Sequence, residues 1–95
     1  MIGPHPPVHP GEILREEFMV PLGLSGYALA NACHIPRTRI ERLAREETPV
    51  TADTALRLGR YFNTGPEFWM NLQTTFDLAS ADPDVVKSIQ PRRAA

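Results

Sequence analysis

Arg37, Thr38, Arg39, Arg42 and Arg45 crowd into nine positions and carry the most legible chemistry of this chain. An arginine guanidinium can donate in pairs to O6 and N7 of guanine. A threonine can bond a base edge or touch a thymine methyl. Interleaved with these residues are Ile40, Leu43 and Ala44, at i, i+3 and i+4, which one helix face gathers together. With Ile40 at the centre of that buried face, Thr38, Arg42 and Arg45 fall on the opposite side. Arg37 projects from the N-terminal end, and Glu41 and Arg39 take the two flanks. Arg37, Thr38 and Arg42 are therefore candidates to read bases. Arg39 and Arg45 are candidates for phosphates, which position a protein without reading sequence. The competing interpretation is a solvated face, its arginines paired with Glu41, Glu46 and Glu47. In that interpretation Glu41 and Arg45 are i, i+4 partners.

Such a face needs a second helix to hold it. Ser25 is a suitable N-cap for a helix over about 26–33, with Leu29, Ala30, Ala32 and Cys33 turned inward. A tight turn follows at Cys33-His34-Ile35, and Pro36 opens the next helix, to about Arg45. Two short helices joined this way form a helix-turn-helix, whose second helix fits a DNA major groove. The free amides at Ser25 and Gly26 could meet a phosphate. Thr48, in a loop over 46–50 broken by Pro49, is a further phosphate candidate.

The remaining elements frame this pair. A first helix is expected from Pro10 to about Val20, ended by Pro21 and Gly23. Thr51 can cap a helix over 52–62 that offers Ala55, Leu56, Leu58, Gly59 and Phe62 for packing. Thr64-Gly-Pro-Glu67 has the spacing of a capping box before a last helix. That helix carries Phe68, Trp69, Leu72, Phe76 and Ala79, which suit either the core or a dimer interface. Val85, Val86 and Ile89 suit one more turn or an extended tail. The expectation is an all-α domain of five helices over residues 10–80. A Pro-rich extended arm (1–9) precedes it, and a C-terminal tail (81–95) follows.

Ninety-five residues with 42% hydrophobic side chains suffice for one small core. The net charge of −1 is low for a nucleic-acid partner, but its distribution is uneven. Six of the nine arginines lie within 37–60, where four acids leave a net charge of +2. Residues 11–20 carry a net charge of −2. No stretch is apolar enough to span a bilayer, and no secretory signal opens the chain. The single Cys33 fits a reducing, cytoplasmic setting. His5, His9, Cys33 and His34 lack the paired spacing of a zinc site, so no metal is expected. Glu16 and Glu17, or Asp82 and Asp84, come without a nucleophile, phosphate loop or cofactor motif. No catalysis and no cofactor are expected.

Several segments agree on one resemblance. His9-Pro-Gly-Glu-Ile-Leu-Arg-Glu-Glu-Phe18, Pro21-Leu-Gly-Leu-Ser25, Pro36-Arg-Thr-Arg-Ile40, Thr51-Ala-Asp-Thr-Ala-Leu-Arg-Leu58 and Pro66-Glu-Phe-Trp-Met-Asn-Leu-Gln73 resemble the HigA-type (VapI-like) antitoxins. These are a branch of the lambda-repressor-like, Xre-type helix-turn-helix family, and the resemblance spans about residues 9–80. It implies a cytoplasmic homodimer that represses its own promoter through a palindromic operator. It also implies neutralisation of a RelE/HigB-like mRNA endonuclease toxin, with no enzymatic activity in the antitoxin itself. Such toxins are basic, so the acidic Glu12, Glu16 and Glu17 are candidates to meet one. Alternatives are a stand-alone repressor without a toxin, and a protein-only inhibitor that has lost DNA binding. The chain departs from the family at three places. His34 stands where Gly is usual, in a turn that calls for positive φ. Gly26 stands where Gln is frequent. Glu46-Glu47 replaces a basic loop containing Gly, and two carboxylates beside a phosphate would repel it.

Overall fold

A computed structural model describes residues 6–93. His5 and the rest of residues 1–5, like residues 94–95, lie outside the described residues. Five helices account for the described fold, and no strand occurs among the described residues.

Helix α1 spans residues 10–22. It starts as Pro10–Ile13, widens into a π turn over Leu14–Met19, and closes as Val20–Leu22. His9 caps it, its Nδ1 accepting the Gly11 N–H at 2.9 Å. Pro21 was expected to end this helix but lies within its last turn. A proline ring collides with the carbonyl four residues back and offers no N–H. The wider π turn accommodates it: the Val20 N–H reaches back five residues, to the Arg15 carbonyl. Gly23, at φ 63°, ends the helix.

Helix α2 is Gly26–Cys33, capped as expected by Ser25, whose Oγ accepts the Ala28 N–H at 3.0 Å. His34 closes it in the left-handed region, at φ 59°. Helix α3 is Arg37–Ala44, with Pro36 at its N-cap, one position outside the helix. Helix α4 is Ala52–Phe62, with Thr51 Oγ1 accepting the Thr54 N–H at 3.4 Å. Helix α5 is Pro66–Ser80, followed by a 3-10 turn over Pro83–Val86. The expected capping box is absent. Gly65 is the N-cap of α5, and no side chain bonds there. Thr64 Oγ1 instead accepts the indole N–H of Trp69 at 2.9 Å and donates to the Gly65 carbonyl. A buried indole must find an acceptor, and that demand outranks the cap.

Leu14, Leu29, Ile40, Leu43, Leu58 and Trp69 are fully or almost fully buried and bring all five helices to one core. Trp69 is 0% exposed within the single chain, with Phe18 and Phe68 at ring distances of 5.1 and 5.0 Å. It is a core residue, which corrects its place among the interface candidates. Two other inward assignments fail: Ala32 is exposed, and Leu56 is 60% exposed. Each lies about one helical step, roughly 100°, off the buried face of its helix.

Two contacts set the position of α3. Gly11 lies so close to it that a Cβ there would collide with the Leu43 carbonyl oxygen. Beyond α3, the loop is anchored by buried Gln73, whose Oε1 accepts the Val50 N–H at 2.7 Å. Gln73 Nε2 donates to Asp77 Oδ1 at 2.8 Å, so neither end of the buried amide is left unpaired.

Candidate nucleic-acid interface

Ile40 and Leu43 fasten α3 to the core, and Ala44 is half-buried beside them. The opposite face is open: Arg37, Thr38, Arg42 and Arg45 are all exposed, and Arg39 on the flank is half-buried. Thr38, Arg39 and Arg42 line one wall of a groove of about 460 Å³, and Thr48, Thr51 and Asp53 line the other. Two of the three base-reading candidates, Thr38 and Arg42, therefore share one groove with the phosphate candidates Arg39 and Thr48, while Arg37 does not line it. Ser25 and Gly26 sit at the start of α2, with Gly26 against the Glu41 side chain. Ser25 Oγ is engaged with its own helix, which leaves neighbouring backbone amides as the donors there.

Of the four arginines over 37–45, three are paired. Arg37 Nε donates to Glu41 Oε2 at 2.6 Å. Arg39 Nη1 donates to Asp53 Oδ2 at 2.5 Å. Arg45 reaches Glu47 through Nε and Nη2, at 3.0 and 3.4 Å. Glu41 is thus the partner of Arg37, not of Arg45. Arg45 sits at the C-cap, where the chain is leaving the helix and turns it towards Glu47. Arg42 has no side-chain hydrogen bond or ion pair among the described residues, so its donors are free for a ligand.

The acidic loop is not a pair of loose charges. Glu46 takes the left-handed region, at φ 65°. Its carboxylate accepts Arg15 Nη2 from α1 at 3.2 Å. The same Arg15 donates through Nη1 to the Ala44 carbonyl and through Nε to Glu16. Both loop carboxylates therefore face arginines. The hydrogen bond from Arg45, foremost, holds the Glu47 carboxyl below the ordinary carboxylate range.

Asp53, Arg57 and Arg15 were not singled out in the sequence, although each touches the helix-turn-helix or the loop that follows it. Arg57 Nη1 donates to the carbonyls of Cys33 and His34, at 3.0 and 2.9 Å. Their contacts with other elements span 14 to 31 residues and no local spacing announces them, whereas the Asp53–Arg57 pair is i, i+4 and could have been read from its spacing.

The other candidates lie on different faces. Phe68, 37% exposed, and the half-buried Leu72 and Phe76 line a mainly apolar groove of about 340 Å³, with Pro7 and Val8. Glu12 and Glu17 are exposed on α1, and Glu16 is exposed but paired with Arg15. Among the described residues, no three His, Cys, Asp or Glu side chains gather as metal donors. Cys33 is buried, and burial pushes its thiol pKa up. No described helix is long and apolar enough to cross a membrane.

No family model matches the chain. Individual proteins do. The chain is 53% identical over 79 residues to virulence-associated protein I of Dichelobacter nodosus, covering 83% of this chain and 73% of the relative. The antitoxin HigA of Pseudomonas aeruginosa, solved with the higBA promoter, is 43% identical with a TM-score of 0.84. The match covers 90% of this chain and 97% of that one. The antitoxin GraA, solved in complex with its operator, is 43% identical with a TM-score of 0.87, over 99% of both chains.

Proposed function

This chain belongs to the HigA-type (VapI-like) antitoxin family of helix-turn-helix proteins, and from that premise we propose that it is a cytoplasmic, dimeric autorepressor and antitoxin. Its partners are a palindromic operator at its own promoter and a RelE/HigB-like mRNA endonuclease toxin. It works by binding and is not an enzyme.

The observation that carries this reading is the open face of α3. Arg42, which has no side-chain partner among the described residues, lines the groove there together with Thr38. The HigA protein solved with its promoter shares this fold. Arg37, Thr38 and Arg42 are proposed to read base edges. Arg39, Arg45, Thr48 and the amides around Ser25 and Gly26 are proposed to hold phosphates. The pairs made by Arg37, Arg39 and Arg45 are solvent-exposed, and exposed pairs contribute little, so phosphate can compete with them. Glu46 is paired with Arg15 and Glu47 with Arg45, which lessens the repulsion that these carboxylates exert on a nearby phosphate.

Residues 10–80 are proposed as the binding domain, between the arm at 1–9 and the tail at 81–95. The dimer contact is proposed along Phe68, Leu72 and Phe76. A two-fold pair sets its recognition helices one DNA turn apart, about 34 Å. Glu12, Glu16 and Glu17 on α1 are proposed to meet the basic toxin.

The test is a titration of the fragment upstream of the gene against scrambled DNA, at two salt concentrations. Tight, site-specific binding that weakens with salt is the expected result. Equal binding to both DNAs would overturn the repressor reading. Growth rescue by co-expression with the neighbouring toxin gene tests the antitoxin half, and failure to rescue would leave a stand-alone repressor.

A further inference from the structure

One carboxylate oxygen gathers the parts of the helix-turn-helix. Asp53, in the first turn of α4, accepts Arg39 of α3 and Arg57 of its own helix, both on Oδ2, at 2.5 and 3.0 Å. Arg57 passes the connection on, donating through Nη1 to the carbonyls of Cys33 and His34. A continuous chain of hydrogen bonds thus runs from the recognition helix, through α4, to the left-handed residue of the turn.

We propose that Asp53 is a positioning residue for DNA recognition: with Arg57 it holds α3 and the turn at one relative angle and orients the Arg39 guanidinium. The inference rests on the DNA-binding reading above and deepens it.

Three physical points support it. First, His34 is a non-glycine residue at φ 59°, a conformation that needs outside support, and Arg57 grips its carbonyl. Second, a guanidinium has five N–H donors. Asp53 engages only Nη1 of Arg39, which leaves Nε and Nη2 for a phosphate. Third, the side chains of Asp53, Arg39 and Arg57 are 53%, 41% and 37% exposed. Pairs so exposed add little to stability, so the consequence of the network is orientation. The Asp53 carboxyl lies below its ordinary range, through Arg39 first and Arg57 second. It therefore stays ionised at the pH of any DNA-binding assay.

A simple electrostatic role makes the opposite prediction. Asp53 lines the groove with Thr38 and Arg42. Were it only a negative charge near DNA, Asp53→Asn would tighten binding to every sequence alike. As a positioning residue, its loss should weaken the operator while leaving scrambled DNA unchanged or bound more tightly.

The experiment measures affinity of the full chain for the promoter fragment and for scrambled DNA, in wild type, Asp53→Asn and Arg57→Lys. Lysine keeps the charge of Arg57 but not its fork. Thermal melts accompany each protein. Both variants should lose about ten-fold in the operator-to-scrambled ratio, the loss of roughly one base contact, at nearly unchanged melting temperature. A discriminating wild type whose variants keep its ratio would overturn this inference alone. A wild type that does not discriminate would overturn the repressor reading and this inference together. Should Asp53→Asn fail to fold, Arg57→Lys carries the same comparison.

Discussion

The buried amide of Gln73, on α5, accepts the backbone N–H of Val50 across 23 residues of sequence, at 2.7 Å. Val50 is itself buried, and this bond fixes the end of the loop that leaves the recognition helix. Removing the acceptor strands a buried N–H, which costs about 1–3 kcal/mol. Gln73→Ala should lower stability by that amount or more, because it also opens a cavity. Denaturant unfolding measures it, and a loss below about 0.5 kcal/mol would mean that water replaces the amide.

Among the described residues Arg42 is the α3 arginine with no side-chain partner, so its removal should register in DNA binding and not in stability. Arg42→Ala should cost about 1–3 kcal/mol on the operator and relax one base position. Arg45→Ala should weaken all sequences similarly and reduce the salt slope by about one per subunit. Unchanged operator affinity in Arg42→Ala would show that the proposed docking of α3 is wrong.

Glu47 occupies two donors of Arg45 on the same side of the molecule. Glu47→Gln should free them and raise affinity for any DNA, with a steeper salt dependence. The pH signature has a definite sign. The folded-state pKa of Glu47 is depressed, through its hydrogen bond from Arg45 first. Its contribution to stability is present above the ordinary glutamate pKa and is lost as pH falls through the depressed folded-state value. Melting temperatures of wild type and Glu47→Gln should therefore converge on the acid side. A gap that widens there would contradict the assignment.

His34 sits at φ 59°, where glycine is unstrained. Left-handed backbone costs a non-glycine residue roughly 1–2 kcal/mol, and the added freedom of glycine in the unfolded chain returns part of that. His34→Gly should stabilise the fold by about 0.5–1 kcal/mol, read as a rise of a few degrees in Tm. A lower Tm would mean that the imidazole makes a contribution exceeding the strain.

Phe68 and Trp69 are sequence neighbours with different roles. Trp69→Ala should cost about 3–5 kcal/mol, because it empties a fully buried site. Phe68→Ser should leave the chain folded and reduce its mass by light scattering from dimer to monomer. A folded Phe68→Ser protein that remains a dimer would move the contact elsewhere. The exposed Leu56 and Tyr61 on α4 are the next surface to test.

The sequence by itself determined what is local. Helix caps at Ser25 and Thr51 depend on one side chain and an amide three residues away. The apolar face of α3 depends on a 3.6-residue period, so Ile40 and Leu43 were legible as its buried positions. A positive φ at His34 was expected because the family that the chain resembles usually has Gly there, and His34 is at φ 59°. The family resemblance carried the function, through motifs spread along the chain. Tertiary structure decided what depends on distant partners. Trp69 became core because Phe18 and Phe62 close over it, and its indole N–H took Thr64 from the expected cap. Pro21 stayed helical because a π turn absorbed it. Among the described residues Arg42 was left without a pair, while Arg39 met Asp53 and Glu46 met Arg15. Helical periodicity says which way a side chain points, but charge pairing depends on which element arrives opposite it, and only packing settles that.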